Sequence, residues 1–346
     1  MTNLFPVHFF FIFLYYTDTA STFFFLASWL AAIKRRYVTS GLLGTASILI
    51  RQTNVVWVGF IAAWSCIEMA QKISQSHPDA FSSAVQPPIA RFESSLQIQV
   101  RTILESFIRF PQFWFSLWPL VVPMLGFIVF AIQNKGIVVG DRENHTPVMH
   151  VMQVFYFYAF TAVSIAPILA SKFISYVNQA GRRRKKIPYF TLLLLVMASG
   201  AVASLAVKFT SLVHPFILAD NRHYIFYLWR RVVQSRTLST CLLLPLYAIA
   251  PLALVSSCTF CRTLGPLLRA VIVVCTCTVL IPAHLVEFRY YTIPFFLYSI
   301  SAAGKASSQS MWITILAYLV VNMLTIYVFL FRDFVWPDGS IARFMW

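Results

Sequence analysis

The sequence predicts an all-α polytopic membrane protein, and three observations predict it. Hydrophobic residues make up 59% of the 346 residues and charged residues only 11%. A soluble domain cannot cover that much apolar surface, because a folded surface needs charge to stay in water. Apolar stretches of membrane-helix character recur along the chain, and the loops between them alternate between basic and acidic-polar, as orientation in a bilayer requires. The aromatic load (33 Phe, 15 Tyr, 9 Trp) suits lipid contact and interfacial belts.

Taken in order, the apolar stretches fall near 4–17, 19–33, 38–50, 55–70, 113–132, 148–170, 189–213, 238–257, 267–286, 290–303 and 311–331. They give about eleven transmembrane helices in a single membrane-embedded domain over 1–346. Several are shorter than the ~20 residues of a standard span. Pro123, Pro167, Pro245, Pro251 and Pro282 fall inside them, which is tolerated where neighbouring groups satisfy the freed carbonyls. Residues 4–16 lack a preceding basic segment, so no cleavable signal peptide is expected.

The net charge is +16. No basic segment is interleaved with aromatics in a water-exposed setting, so the charge reads as loop basicity facing anionic lipid and no nucleic-acid partner is expected. One set of loops carries Lys34-Arg35-Arg36, the stretch from Lys72 to Arg109, Arg182 to Lys186, Arg262, Arg269 and Lys305; the positive-inside rule makes it cytosolic. Its longest member, 72–110, is rich in Ser, Gln and Pro and reads as a partly flexible cytosolic connector. The opposite set holds YYTD (15–18), RQTN (51–54), VVGDRENH (138–145), HPFILADNRHY (214–224) and EFRYY (287–291). Asn144-His145-Thr146 is a glycosylation sequon on that non-cytosolic side. Cys258 and Cys261 form a C-x-x-C, but no second pair or βαβ pattern supports a zinc or redox site.

The segments 19–33 and 37–51 each span about 22 Å at 1.5 Å per residue, against a hydrocarbon core of about 30 Å. Asp18 and Arg51 at their ends are therefore expected below the membrane surface, paired or lining water. That implies an aqueous cavity on the non-cytosolic side; a locally thinned bilayer accounts for the same lengths.

RQTNVVWV, GIVVGDRENH with the aromatic QVFYFY, HPFILADNRHYIFYLWRR, EFRYYTIPFFLY and the terminal RFMW resemble the α-1,2-glucosyltransferase family of N-glycan assembly. The resemblance runs from FPVHFFFIFLYYTD to Trp346. It implies a GT-C-type helical bundle in the endoplasmic-reticulum membrane with its motifs luminal. It also implies a dolichyl-phosphate-glucose donor, a dolichyl-diphosphate-linked oligosaccharide acceptor, and inverting transfer of the terminal glucose. Members of that family carry a first helix and a luminal loop with an acidic pair, which supplies the main base. No acidic residue precedes Asp18 here, so the first helix and loop are expected to be missing and the activity of the chain alone is left open. Members also tend to show Glu-Pro-Arg-Tyr where this chain has Glu287-Phe288-Arg289-Tyr290.

The chemistry needs cations and hydrogen-bond donors near a departing phosphate and a carboxylate near the attacking hydroxyl. Asp18 is the remaining candidate catalytic carboxylate, or else a helix cap. Arg51, Gln52 and Asn54 are candidates for the donor phosphate or sugar, or a capped turn with a snorkelling Arg. His214, Asp220, Asn221, Arg222, His223 and Tyr224 are donor-site candidates, or an interfacial loop anchored by aromatics. Glu287, Arg289 and Tyr290 are donor-site candidates, or a structural ion pair. Asp141, Arg142 and His145 are acceptor candidates, or a solvated loop. No metal site and no cofactor are expected. The competing reading is a polytopic transporter or channel-associated protein, which midplane polar sites and inverted repeats would favour.

Overall fold

The computed structural model describes residues 1–77, 95–137, 147–182, 189–210, 220–235, 239–258, 265–304, 306–336 and 338–346. The helices are α1 (Pro6–Ile12), α2 (Thr17–Ile33), α3 (Tyr37–Ile50), α4 (Asn54–Ser76), α5 (Leu96–Arg109), α6 (Pro111–Gln133) and α7 (Met152–Ser164). They continue with α8 (Ala166–Arg182), α9 (Tyr189–Thr210), α10 (Tyr224–Leu228), α11 (Leu244–Ser257), α12 (Pro266–Leu280), α13 (Thr292–Ala303) and α14 (Ser308–Phe331). One short hairpin, β1 (Asp333–Val335) with β2 (Ile341–Arg343), follows α14. Among the described residues four helices are long and apolar enough to cross a membrane, or up to six if each of two bent pairs forms one span. The chain is an all-α polytopic membrane protein. It divides into two compact units: Met1–Tyr16, Thr146–Cys258 and Leu280–Trp346 form the first, and Thr17–His145 with Thr259–Val279 the second.

In the second unit, α2 and α3 pack as a hairpin whose turn puts Arg35 at a left-handed φ of 57°. Ser28 and Ser40 lock it: each hydroxyl donates to the other's carbonyl, at 2.7 and 2.8 Å. Serines are small enough to bring two backbones together and satisfy themselves without water, which is how polar residues join helices in lipid. Gly41 serves the same closeness. A Cβ there would lie 2.1 Å from the Pro119 carbonyl oxygen of α6, and backbone cannot step aside. Gly41→Ala is expected to destabilise the unit by about 1–3 kcal/mol, read as a lower unfolding temperature in detergent; an unchanged temperature contradicts this contact.

The 72–110 stretch contains α5, where the sequence suggested a connector. Ser95 caps it, accepting from Ile98 N. Its inward face is polar: Gln99, Thr102 and Ser106 are fully buried. Its outward arc mixes large apolar residues, Leu96, Val100, Leu104, Phe107 and Ile108, with exposed Gln97, Arg101 and Arg109. Polar residues facing in and large apolar ones facing out beside arginines are unlike a helix on a soluble protein and fit a membrane–water interface. Gln99 explains the polar inside, since its Oε1 accepts from Leu267 N at the start of α12 and satisfies an orphan donor there.

The first unit carries α7 and α8, bent by 78° at their junction. The break falls at Ile165, two residues before Pro167, whose ring bars a continuous helix. A core of aromatic rings joins the elements. Phe5 stacks on Phe295, and Tyr158 and Tyr298 share a hydrogen bond at 2.9 Å. Asn322 of α14 donates to the Leu4 carbonyl, so both ends of the sequence are tied into the unit.

Candidate functional site

Three segments far apart in sequence meet in the first unit. The earliest is 220–224, ahead of α10. Asp220 shapes it by accepting from the Arg222 backbone N–H at 3.0 Å, an Asx turn. The same carboxylate takes Arg222 Nε at 2.9 Å and Nη2 at 2.6 Å, the bidentate fork that guanidinium offers a carboxylate. Arg222 also lies over the Trp336 ring, 5.4 Å from its centre. The last segment is the chain's final strand-like run. Arg343 donates to the Phe329 and Leu330 carbonyls at the end of α14. From there Met345 pairs with the backbone at Arg222 and Tyr224, at 2.9 and 3.1 Å. His223 Nδ1–H donates to the Trp346 backbone oxygen at 2.8 Å, since that oxygen can only accept. Its Nε2 faces Asp220 Oδ2 at 3.5 Å.

The middle segment is 281–291. It is pinned to the start of α7: His150 N and Val148 N donate to Ile281 and Pro282 carbonyls, and Gln153 Nε2 to Ala283 and Leu285 carbonyls. Buried Tyr291 returns a bond to Gln153 Oε1 at 2.9 Å. Between these anchors Phe288–Tyr291 forms one 3-10 turn. Phe288 occupies its first position, where Pro is at home, and its buried ring stacks on Phe160 at 4.6 Å. Packing thus holds the turn that a proline would hold by its ring. Arg289 pairs with Glu287 and sits over Phe11 and Tyr16, 5.3 and 4.7 Å from the ring centres.

Together these segments enclose a cavity of about 390 Å³. Its polar wall is Asp220, His223, Glu287 and Arg289; its apolar wall includes Leu285, Val286 and Phe288, with Trp336 and Trp346. The volume lies in the range of small-ligand pockets. Burial pushes the Asp220 carboxyl up, but hydrogen bonds from Arg222 and the charges of His223 and Arg222 outweigh it and hold the group below its ordinary 3.8. A depressed carboxyl gives stability that is full above the unfolded value and is lost as pH falls through the folded one. The stability gap between wild type and Asp220→Asn is therefore expected to be constant at neutral pH and to close only below 3.8. Unfolding temperatures across pH check this; a gap that closes near neutrality contradicts it.

Asp18, Arg51, Gln52 and Asn54 belong to the second unit. Asp18, 3% exposed, is paired with Arg51 at 2.5 Å. Asn54 was expected near the donor; it is buried, and its amide donates to Ser21 Oγ and to Ser47 Oγ and carbonyl. That amide ties α2, α3 and α4 together. Asn221 and Tyr290 lie beside the first-unit cavity in sequence, partly exposed; Tyr224 packs on Trp346 at 5.4 Å. Asp141, Arg142, His145 and His214 lie outside the described residues. Sequence reasoning missed Trp336 and Gln153 as site residues and gave RFMW no role. Signals existed for two of them: QVFYFY and RFMW are both part of the resemblance.

The family model that matches describes the DIE2/ALG10 family, over residues 1–300. Among curated proteins, a relative from Arabidopsis thaliana is 32% identical over 390 residues, covering 99% of this chain and 74% of its own length. One from Rattus norvegicus is 34% identical over 350 residues, 99% and 71%, and one from Homo sapiens 32% over 352, with the same coverage. All three are named Dol-P-Glc:Glc(2)Man(9)GlcNAc(2)-PP-Dol alpha-1,2-glucosyltransferase. No solved structure matches.

Proposed function

The chain belongs to the DIE2/ALG10 family, and on that premise we propose that it transfers glucose from dolichyl-phosphate-glucose to the diglucosylated, dolichyl-diphosphate-linked oligosaccharide in α-1,2 linkage. The reaction is an inverting single displacement at the luminal face of the endoplasmic-reticulum membrane. The observation that carries this reading is the convergence of 220–224, 287–289 and Trp346 on one cavity, because these are the segments on which the family resemblance rests. The cavity receives the glucosyl-phosphate headgroup of the donor. Arg289, braced by Glu287, directs its remaining N–H groups to the headgroup oxygens, and Arg222 braces Asp220 in the cavity wall. Fixed donors aimed at developing charge need no reorganisation during reaction. Asp220 and Glu287, already accepting from arginines, orient sugar hydroxyls. Asp141, Arg142 and His145 are proposed to meet the acceptor glycan, and His214 the donor.

The test is to disrupt the gene in the source cells and profile their lipid-linked oligosaccharides. Accumulation of the species with two glucoses is expected, reversed by reintroducing the gene. An unchanged profile, or accumulation of a form lacking mannose, contradicts the proposal. A transporter reading predicts no change in glycan length.

A further inference from the structure

In the second unit, α5 ends at Arg109 and α6, long and apolar enough to cross a membrane, begins at Pro111. The end of α5 therefore stands where a span enters the bilayer. At 100° per residue, the exposed Leu96, Val100, Leu104, Phe107 and Ile108 fall within one arc of about 120°. Gln97 interrupts that arc, and Arg101, Glu105 and Arg109 follow on its flank. Trp114, one turn into α6, is exposed and donates its indole N–H to the Phe107 carbonyl. Large apolar residues with arginines beside them and a tryptophan at the end are the make-up of a helix seated among headgroups.

The same end of the unit is basic. Helix α4 runs antiparallel to α6, since Gly59 meets Met124 while Ala70 and Ile73 pack with Phe113. That brings the end of α4 to the start of α6. The α2–α3 turn lies there too, because Tyr37 feels the charges of both Arg35 and Glu68 of α4. The turn presents Lys34, Arg35 and Arg36, all exposed and without an ion-pair partner among the described residues. Its backbone is fixed: Arg36 N donates to the Ala31 carbonyl at 2.9 Å and Arg35 N to the Ala32 carbonyl at 2.8 Å, the bonds of a Schellman turn. Glycine is at home in the left-handed position of such a turn, yet Arg35 holds it. A cation thus stands where glycine would cost less. Three successive cations on a rigid turn, beside an apolar arc, match a surface that is anionic at its edge and apolar beneath. A second copy of this chain would bring the same cations and repel.

We propose that α5 and the α2–α3 turn bind anionic phospholipid, with acyl chains covering the α5 arc and headgroup phosphates held by Lys34, Arg35 and Arg36. The proposal does not depend on what the first-unit cavity holds.

The full chain is placed in phosphatidylcholine nanodiscs carrying, at equal low mole fraction, phosphatidylserine or phosphatidylcholine with a diazirine in the acyl chain. After photolysis the labelled peptides are mapped by mass spectrometry. Both lipids should label residues 96–108, phosphatidylserine about tenfold or more above phosphatidylcholine, since each cation near an anionic surface gives about a fivefold preference. Lys34→Gln, Arg35→Gln and Arg36→Gln combined should remove most of that preference, with labelling by phosphatidylcholine unchanged. Arg35→Gly guards against a folding defect: it eases the turn, so it should unfold in detergent no earlier than wild type, yet lose about fivefold of the preference. Equal labelling of α5 by the two lipids in wild type overturns the proposal, as does a preference that both variants keep. So does labelling that spares α5, which would show its arc covered by a second copy or by another protein.

Discussion

Arg222→Ala, introduced at the native gene, is expected to cut terminal glucose transfer by about two orders of magnitude, the scale of a mispositioned group in a site, because Asp220 in the cavity wall loses the guanidinium that orients it. Protein abundance should hold, because the Arg222 side chain is 41% exposed and its loss opens no cavity in the core. Two things leave with the guanidinium: the bidentate brace on Asp220 and the cover on Trp336, and both of those residues line the cavity. Arg222→Lys should recover little of this, since an ammonium cannot reproduce the two-pronged grip on the carboxylate. The ratio of diglucosylated to triglucosylated lipid-linked oligosaccharide reads the effect, with immunoblotting of membranes as control. Near-normal triglucosylation by the Ala variant removes Arg222 from the site. Full rescue by Lys shows that charge, not the fork, is what matters.

The second large effect belongs to the other unit. Arg51→Ala strips the partner from Asp18, whose side chain is 4% exposed. Breaking a buried pair from one side leaves an uncompensated charge and costs about 3–5 kcal/mol. Removing both charges is far milder, because the desolvation cost disappears with the attraction. Asp18→Asn combined with Arg51→Ala should therefore unfold closer to wild type than Arg51→Ala alone, as read by thermal unfolding in detergent. If the two substitutions simply add, the pair contributes nothing as a pair, and the depth assigned to these residues is wrong.

The same pair shows what the sequence made legible. Two helical segments shorter than a bilayer lead one to expect Asp18 and Arg51 to be paired or to line water, and the two are paired with each other. Composition likewise sufficed for an all-α membrane protein, since no soluble packing hides so much apolar surface. Pairings between distant segments were not legible. Nothing local in RFMW says that Met345 will bond to the backbone at Arg222, or that Trp346 will close a cavity opened by Glu287 and Arg289. Local type also leaves packing unread. Asn54 reads as a ligand group beside Arg51, yet its amide is enclosed by serines one and two helices away, and only tertiary packing reveals that. The helix α5 escaped notice because large apolar residues share its exposed arc with arginines while polar residues face in, so neither a uniformly apolar span nor an ordinary surface helix matches it. Trp336 sits in a turn between two three-residue strands, too short a pattern to announce a site.

The first-unit cavity is proposed to hold the glucosyl end of a lipid-phosphate donor. A dolichyl-phosphate-glucose analogue with a diazirine on the sugar, photolysed with the full chain in nanodiscs and mapped by peptide mass spectrometry, tests it directly. Labelling should fall on residues 220–224, 285–289, 336 and 346, and unlabelled donor should compete it away. Competable labelling confined to the outward faces of the helices, with these segments clean, would contradict the claim.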